Sequence, residues 1–532
     1  MDKRDKISKT VLYLKVAQWF VALLLVLLSL GLSVSISQGQ TGEWSTPVQL
    51  SSSDTSSWFP DVATDQTGRV HVVWSSGFKL KGNEVGNAYD TVMYTSSQDG
   101  FKWDRVTDVA ALRQISGGSE ATRPTLLIDP DGMLHLTYRY TTVYYSHVPV
   151  QVASLPVAWF SPRQIGSSQA AYFSNLGIDS HGTLHLVFTE NVSNSVCPIC
   201  YHVFYRRSDN NGYSWSSLTD VSKLPTGAAK PQLVIDQQNN LHLVWEAGEG
   251  GSYGGLVGPT KVMYAASYDG GNTWGSPTEF VSPNGLAKNI AIGLYDTDKL
   301  LVVWLGLPED VVYYQFSQDQ GHSWSPPRPI PGVWGGYSVY GTRLDSYSLA
   351  TDVAGDIHLV LAGRTQEKQN TLDVLHLTWN GFIWSSPEVV ATLIGDVPEW
   401  PRIAVGNGNQ LHVVWFVRDQ ATIWQSDLAK YKVWYARGSS SAPYVASILW
   451  PTPTPTLTPP EKEIPPALTP TPRPSPTATA TLDTSAVQLV VPAGATGSIY
   501  TDNDEVVLIG VSLLPAILII GAVIFIVLRQ RS

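Results

Sequence analysis

Between residues 43 and 437 the apolar positions come in short runs, many alternating with polar ones, and Gly, Asp, Asn or Pro breaks each run. Runs of that length and period are strands. One pattern recurs: Asp-x-x-Gly-x-apolar-His-apolar-apolar-aromatic. Its copies are DQTGRVHVVW (65–74), DPDGMLHLTY (129–138), DSHGTLHLVF (179–188), DQQNNLHLVW (236–245), DVAGDIHLVL (352–361) and GNGNQLHVVW (406–415), with a degenerate DTDKLLVVW (296–304) carrying Val302 in place of His. A second pattern starts on Trp: WSTPVQL (44–50), WDRVTDV (103–109), WFSPRQI (159–165), WSSLTDV (215–221), WGSPTEF (274–280), WSPPRPI (324–330) and WSSPEVV (384–390). The two alternate without exception, at about 56 residues per unit.

A unit of that length with four short apolar runs is a four-stranded antiparallel blade. Strand A precedes the Asp turn, as in PTLLID (124–129). Strand B follows it, strand C carries Tyr, as in KVMYAAS (261–267), and strand D starts at the Trp. The Asp-Gly turn is a hairpin signal because both residues tolerate positive φ. The first pattern met is a D strand, at 44–50, and the last is a C strand, KVWYAR (432–437). Pairing the two closes the ring and leaves no unmatched edge at the join. The expected fold is all-β: a seven-bladed β-propeller closed by its N-terminal strand.

The hairpin between C and D has its own signature, SYDGGNTW (267–274) and SQDQGHSW (317–324), with looser copies SDNNGYSW (208–215) and SSQDGFKW (96–103). Asp269 and Asp319 can accept backbone N–H groups of their own turn. Gly271 and Gly321 supply a φ that a Cβ resists. Trp274 and Trp324 bury a large ring between blades. Ser267 and Ser317 complete the motif, whose role is folding rather than catalysis. These stretches resemble the Asp boxes of the sialidase (bacterial neuraminidase repeat) superfamily. The resemblance spans about 395 residues. It implies a β-propeller and, in most members, hydrolysis of terminal sialic acid; other members cleave different sugars or only bind. Two features depart from it. Enzymatic sialidases have six blades, and the Phe/Tyr-Arg-Ile-Pro motif that supplies one substrate-binding Arg has only distant echoes here, TRPT (122–125) and WPRI (400–403).

Composition agrees with a turn-rich β protein: 15% charged, with 44 Gly, 35 Pro, 19 Trp and 24 Tyr in 532 residues. The net charge of −10 and the lack of a basic stripe argue against nucleic acid. Both ends are apolar. Residues 1–37, basic and then VAQWFVALLLVLLSLGLSVS, read as a signal peptide or signal anchor. Residues 438–505 are a linker and juxtamembrane segment rich in Pro and Thr, which cannot form a core. Residues 506–528, VVLIGVSLLPAILIIGAVIFIVL, are long and apolar enough to span a bilayer. Arg529 and Arg531 in the tail (529–532) place that end in the cytoplasm and the propeller outside the cell.

The B–C and D–A loops share one face of the disc, and the longest of them (75–91, 246–261 and 331–346) are rich in Gly, Tyr and Trp. Aromatic rings stack on sugar faces, and Gly admits a ligand close to the backbone. Near that face lie Lys230, Lys288, Arg402, Arg418 and the candidate catalytic residues Arg123, Arg139, Arg364, Glu190 and Glu246. By resemblance, an enzyme would use a Tyr nucleophile with a Glu partner and three Arg on the substrate carboxylate. The repeated His residues sit in separate blades, too far apart to share one metal; a buried His bonded to nearby backbone is expected instead. No cofactor is implied. Cys197 and Cys200, in CPIC, are expected to form a local disulfide outside the cell. The leading expectation is a membrane-anchored extracellular propeller that binds glycans or proteins through the loop face. The alternative is a sialidase-like exo-glycosidase. No feature of the sequence fixes an oligomeric state.

Overall fold

Every Asp turn marked above joins two antiparallel strands. The computed structural model describes residues 44–79, 88–110, 121–167, 170–192, 200–223, 225–249, 260–296, 298–341, 344–420 and 431–450. The expected signal segment, the Pro/Thr stretch from 451 onward, the apolar segment 506–528 and the tail lie outside them. Among the described residues no helix is long and apolar enough to cross a membrane.

The chain begins with β1 (Val48–Gln49). Four sheets follow in order. They are β2 (Ser56–Thr64), β3 (Val70–Lys79), β4 (Ala88–Ser97) and β5 (Thr107–Asp108); then β6 (Thr122–Ile128), β7 (Met133–Arg139), β8 (Val143–Pro149) and β9 (Arg163–Gln164). Next come β10 (Ala171–Ile178), β11 (Leu184–Asn191), β12 (Tyr201–Ser208) and β13 (Thr219–Asp220), then β14 (Gly227–Ile235), β15 (Leu241–Gly248), β16 (Lys261–Ser267) and β17 (Thr278–Phe280). An eight-stranded sheet takes β18 (Leu286–Tyr295), β19 (Lys299–Leu307), β20 (Val311–Ser317) and β21 (Arg328–Gly335), with β22 (Ser348–Thr351), β23 (Ile357–Arg364), β24 (Asp373–Trp379) and β25 (Glu388–Thr392). The last sheet is β26 (Asp396–Gly406), β27 (Gln410–Asp419), β28 (Tyr431–Ser439) and the N-terminal β1. Val48 pairs Tyr435 and Gln49 pairs Trp434, so the amino end supplies the outer strand of the final sheet.

The eight-stranded sheet differs from the separate four-stranded blades expected. β21 pairs β20 at one end and β23 at the other, through Trp334↔Arg364 and Gly335↔Gly363. The residues after the Trp motif, PGVWG, prolong this outer strand past its own blade. Gly363 lets it approach, since a Cβ there would lie 2.6 Å from the Trp334 carbonyl oxygen.

The first strands touch in succession, β2 on β6, β6 on β10, β10 on β14, β14 on β18, β18 on β22 and β22 on β26, and β26 returns to β2. The core lies between neighbouring sheets rather than inside one. One cluster joins Tyr205 of β12 to Leu233, Leu243, Trp245 and Met263; another joins Tyr264 of β16 to Ile292, Leu300, Val302 and Trp304. The aromatic ending each Asp-turn motif is sealed inside: Trp74, Tyr138, Phe188, Trp245, Trp304 and Trp415 are all 1% exposed or less.

The His residues hold each blade to itself. The Nε2 of His71, His135, His185, His242 and His358 bonds the turn carboxylate six residues earlier at 3.1–3.3 Å. The Nδ1 of His71, His135, His185 and His242 meets the hydroxyl of Tyr94, Tyr145, Tyr205 and Tyr264 at 2.7–2.9 Å. The expected backbone partner is thus replaced by two side chains, because strand C puts a Tyr beside every such His but one. His412 keeps its Tyr435 bond, but Gly406 stands where the Asp would be, and Nε2 has no partner. Burial, with Arg437 adding to it, pushes His412 down to about 4.

The same tyrosines tie each sheet to the next. Trp rings at the start of strand D stand edge-on to a C-strand ring of the preceding four-strand unit: Tyr94–Trp159, Tyr145–Trp215, Tyr205–Trp274, Tyr264–Trp324, Tyr314–Trp384 (both within the eight-stranded sheet) and Tyr435–Trp103, at centroid distances of 4.7–6.1 Å. At the closure His376 takes the tyrosine's place against Trp44, at 5.2 Å. The box glycines make room for this. A Cβ on Gly271 would sit 1.9 Å from the Tyr205 hydroxyl, and one on Gly321 would sit 2.0 Å from that of Tyr264. Asp269 Oδ1 accepts from Thr273 N at 2.8 Å and from the Ser267 hydroxyl, whose oxygen accepts Gly271 N–H; Asp319, Ser323, Ser317 and Gly321 repeat the arrangement. Asn210 does the same work in its own turn, as does Asp99 one place along.

Candidate functional site

Six of the seven first strands share one irregularity, β22 being regular. Register slips between Trp58 and Asp61, Thr122 and Thr125, Ala171 and Ser174, Ala229 and Gln232, Lys288 and Ala291, and Glu399 and Arg402. Each slip is a bulge, which re-aims a side chain. Five bulges hold a non-glycine residue at positive φ: Phe59 (48°), Arg123 (53°), Lys230 (50°), Asn289 (53°) and Trp400 (56°). Such backbone costs on the order of 1–3 kcal/mol and clusters at functional sites. In four of the five a proline follows, and having no N–H it leaves no orphan donor in the bulge. That repeated X-Pro at the head of strand A was the sequence signal for this site; reading TRPT and WPRI as failed family motifs hid it.

The bulge residues converge. The Arg123 guanidinium lies over Phe59, Tyr172 and Phe173, 4.6–5.1 Å from their centroids. Phe59 stands edge-on to Trp400 at 5.1 Å, Trp400 stacks on Phe173 at 5.7 Å, and Arg402 covers Trp400 at 4.0 Å. Beside this cluster lies a charged one. Lys230 Nζ donates to the Asp345 carbonyl at 2.6 Å and to Glu246 Oε1 at 3.2 Å, which also accepts Asn289 N–H at 2.8 Å. Asp345 accepts from Asn289 Nδ2 and Trp400 N, both at 3.1 Å. Glu399 pairs with Arg418 through one oxygen and leaves Oε2 without a partner.

Phe59, Arg123, Phe173, Lys230, Glu246, Asn289, Asp345, Glu399 and Trp400 are all buried, and their charges respond. Burial, reinforced by Glu399, pushes Asp345 up to about 7. Burial raises Asp61 to about 6 against the pull of Arg402, and Glu399 also rises through burial. Glu246 goes the other way: burial opposes ionisation, but Lys230, Lys288 and the Asn289 N–H outweigh it. Arg402 falls to about 10, chiefly through burial.

The five candidate catalytic residues fall into separate settings. Arg123 and Arg139 come together on Tyr172, with Arg139 4.5 Å from its centroid and bonded to the Ala171 carbonyl at 2.7 Å. Glu190, opposite Ala171 in register, accepts from the Thr142 hydroxyl at 3.0 Å and from Ser167 N at 3.2 Å. Glu246 belongs to the Lys230 cluster. Arg364 is engaged by Asp310 at 3.0 Å and by the carbonyls of Gly335 and Glu367. Much of the long loops (80–87, 250–259, 342–343) lies outside the described residues. From the third loop, Tyr337 covers Lys288 at 4.9 Å. No group of three or more His, Cys, Asp or Glu among the described residues is placed to hold a metal. Cys200 is buried and disulfide-bonded; Cys197, the other cysteine of the sequence, lies outside the described residues.

No protein-family model matches the chain, and no curated protein matches it. Solved structures do. Its structural neighbours include sialidases. An intramolecular trans-sialidase from Ruminococcus gnavus aligns at 13% identity and a TM-score of 0.41, over 76% of this chain and 98% of its own. A sialidase from Streptococcus pneumoniae aligns at 13% identity and a TM-score of 0.42, over 74% and 70%. A protein of unknown function from Dyadobacter fermentans aligns at 11% identity and a TM-score of 0.46, over 75% and 100%.

Proposed function

We propose that this protein is a seven-bladed, membrane-anchored extracellular propeller that binds a glycan through its B–C and D–A loop face without cleaving it. The blade count takes the eight-stranded sheet as two fused blades. The unbroken circuit of first-strand contacts and the recurring edge-on ring pairs support that count. The observation that carries the binding reading is the filling of the bulge cluster. Phe59, Phe173 and Trp400 pack on each other where a hydrolase needs an open cleft, and the candidate carboxylates already bond to backbone N–H, Thr or Lys groups. A retaining mechanism needs a free acid/base carboxyl facing a nucleophile across the scissile bond, and Glu190 and Glu246 are both engaged. The ligand then meets the aromatic residues that the sequence places in the B–C and D–A loops.

One observation favours the sialidase-like exo-glycosidase instead: Arg123 and Arg139 meet on one tyrosine, two-thirds of the cation set that the resemblance implies. The full-length protein in detergent micelles, given a fluorogenic sialoside and a glycan array, decides between them. Glycan binding with no fluorophore released supports the proposal. Release that Arg123→Ala abolishes overturns it.

A further inference from the structure

The closing seam departs from the rest of the ring at one residue. Elsewhere the strand-B His meets a Tyr of strand C; on β24 it meets His376. The result is a chain of four titratable groups. Asp352 Oδ2 lies 3.1 Å from His358 Nε2, His358 Nδ1 lies 2.9 Å from His376 Nε2, and His376 Nδ1 lies 2.9 Å from Glu388 Oε2. Glu388 Oε2 also accepts from Trp44 Nε1 at 3.3 Å, and Trp44 stands edge-on to His376. Trp44 leads into β1, so the chain ends on the segment that closes the ring. Glu388, Trp44 and Trp434 line a cleft of about 650 Å³ at this seam.

The protons can be counted. Each of the three contacts needs one hydrogen between its two heavy atoms. A neutral imidazole carries one N–H and one lone pair, so two neutral rings supply two hydrogens. With both carboxylates ionised, one contact is left without a hydrogen, and a ring nitrogen's lone pair then faces either a carboxylate oxygen or the other ring's lone pair at hydrogen-bond distance. One more proton completes the chain. A doubly N–H imidazolium at His358 donates to Asp352 and to His376 Nε2, leaving the His376 Nδ1–H for Glu388. We propose that this seam is fastened by a shared proton: the His358–His376 pair holds one proton more than two neutral rings, and its loss loosens the N-terminal strand.

The surroundings fit. The charged or titratable groups facing the pair are Asp352 and Asp356 from the turn and Glu388 from β25. The adjoining sheet adds Trp44 and the Ser440 hydroxyl, which bonds Asp352 at 2.7 Å, and neither titrates in the working range. Three carboxylates around two rings favour a retained positive charge. Burial, with His358 adding to it, keeps His376 the neutral member. The folded chain then binds more protons than the unfolded one above the ordinary histidine value, so the seam weakens as pH rises.

Two substitutions test this in the full-length protein in micelles. Glu388→Gln gives the chain an N–H donor at every pH. His376→Tyr restores the residue type of the other sheets. Thermal midpoints are measured from about pH 5.5 to 8.5. The expected result is a wild-type midpoint that falls below that of Glu388→Gln as pH rises and meets it at the acid end, with the His376→Tyr curve running parallel to that of Glu388→Gln. Curves that stay parallel overturn the proposal. Hydrogen exchange on the wild type gives a reading that needs no variant. Corrected for intrinsic chemistry, residues 44–50 should exchange on the order of tenfold faster at the alkaline end, relative to β9 and β13. No change relative to those strands overturns it as well.

Discussion

The rim and the axis of this molecule follow opposite rules. At the rim the Asp–His–Tyr links, the box turns and the edge-on Trp rings recur from sheet to sheet with nearly the same distances. At the bulges near the axis the topologically equivalent positions hold Phe59, Arg123, Lys230, Asn289 and Trp400, five different side chains. The backbone device is repeated and the chemistry is not. Repetition marks what every blade needs in order to bury its faces against its neighbours. Divergence at a repeated, strained backbone position marks residues set by one local environment.

That contrast can be broken in several ways. The largest effect should come from truncating an aromatic of the inter-sheet core that the rim links enclose. Trp304→Ala removes a fully buried ring and should cost about 3–5 kcal/mol, read from the denaturant midpoint; a loss below about 1 kcal/mol would show that the inter-sheet core does not hold the fold. Next comes a paired test of the box glycine. Gly271 (φ 84°) and Gly182 (φ 81°) share a conformation, but a Cβ at 182 meets nothing within 4 Å. Gly182→Ala should cost about 1 kcal/mol and Gly271→Ala about 2–3 kcal/mol, because the Tyr205 ring must move. Equal costs would mean that the Tyr–Gly contact is incidental.

Changes at the axis should act on pH dependence instead. Asp345 sits at about 7 in the folded state against an unfolded value near 3.9. A raised carboxyl binds more protons folded than unfolded, so its contribution is complete below about pH 4 and is lost as pH rises through about 7. The wild type should therefore lose stability over that range relative to Asp345→Asn, measured as the midpoint difference at each pH; a constant difference would remove Asp345 as the cause. The smallest effect should follow Arg139→Met, which removes the guanidinium from over Tyr172 and its bond to the Ala171 carbonyl. Its stability should shift by about 1 kcal/mol or less. A larger loss would place Arg139 with the rim's folding chemistry.

How far the sequence could be read follows the same division. The Asp turns, box turns and closing strand were legible because each rests on local chemistry: a φ only Gly takes readily, a carboxylate within reach of its own turn's N–H groups, an alternating apolar run. The His residues were half legible. Their burial followed from the apolar run, but their Asp and Tyr partners required knowing that strands B and C pair in register. The prolongation of β21 onto β23 was not legible, since PGVWG carries no pairing signal beyond Gly363's missing side chain on another strand.

By itself the sequence determined that the chain makes short antiparallel strands in repeating units, and that its first strand completes its last sheet, because strand period and turn conformation are properties of a few adjacent residues. Only the tertiary structure decided which charges meet. Arg123 and Arg139 share Tyr172 while Arg364 faces Asp310, and Lys230 finds Glu246 in its own sheet and Asp345 in the loop before β22 of the next. The bulges that turn these side chains inward are set by packing around a closed ring, and no stretch of one strand carries that information.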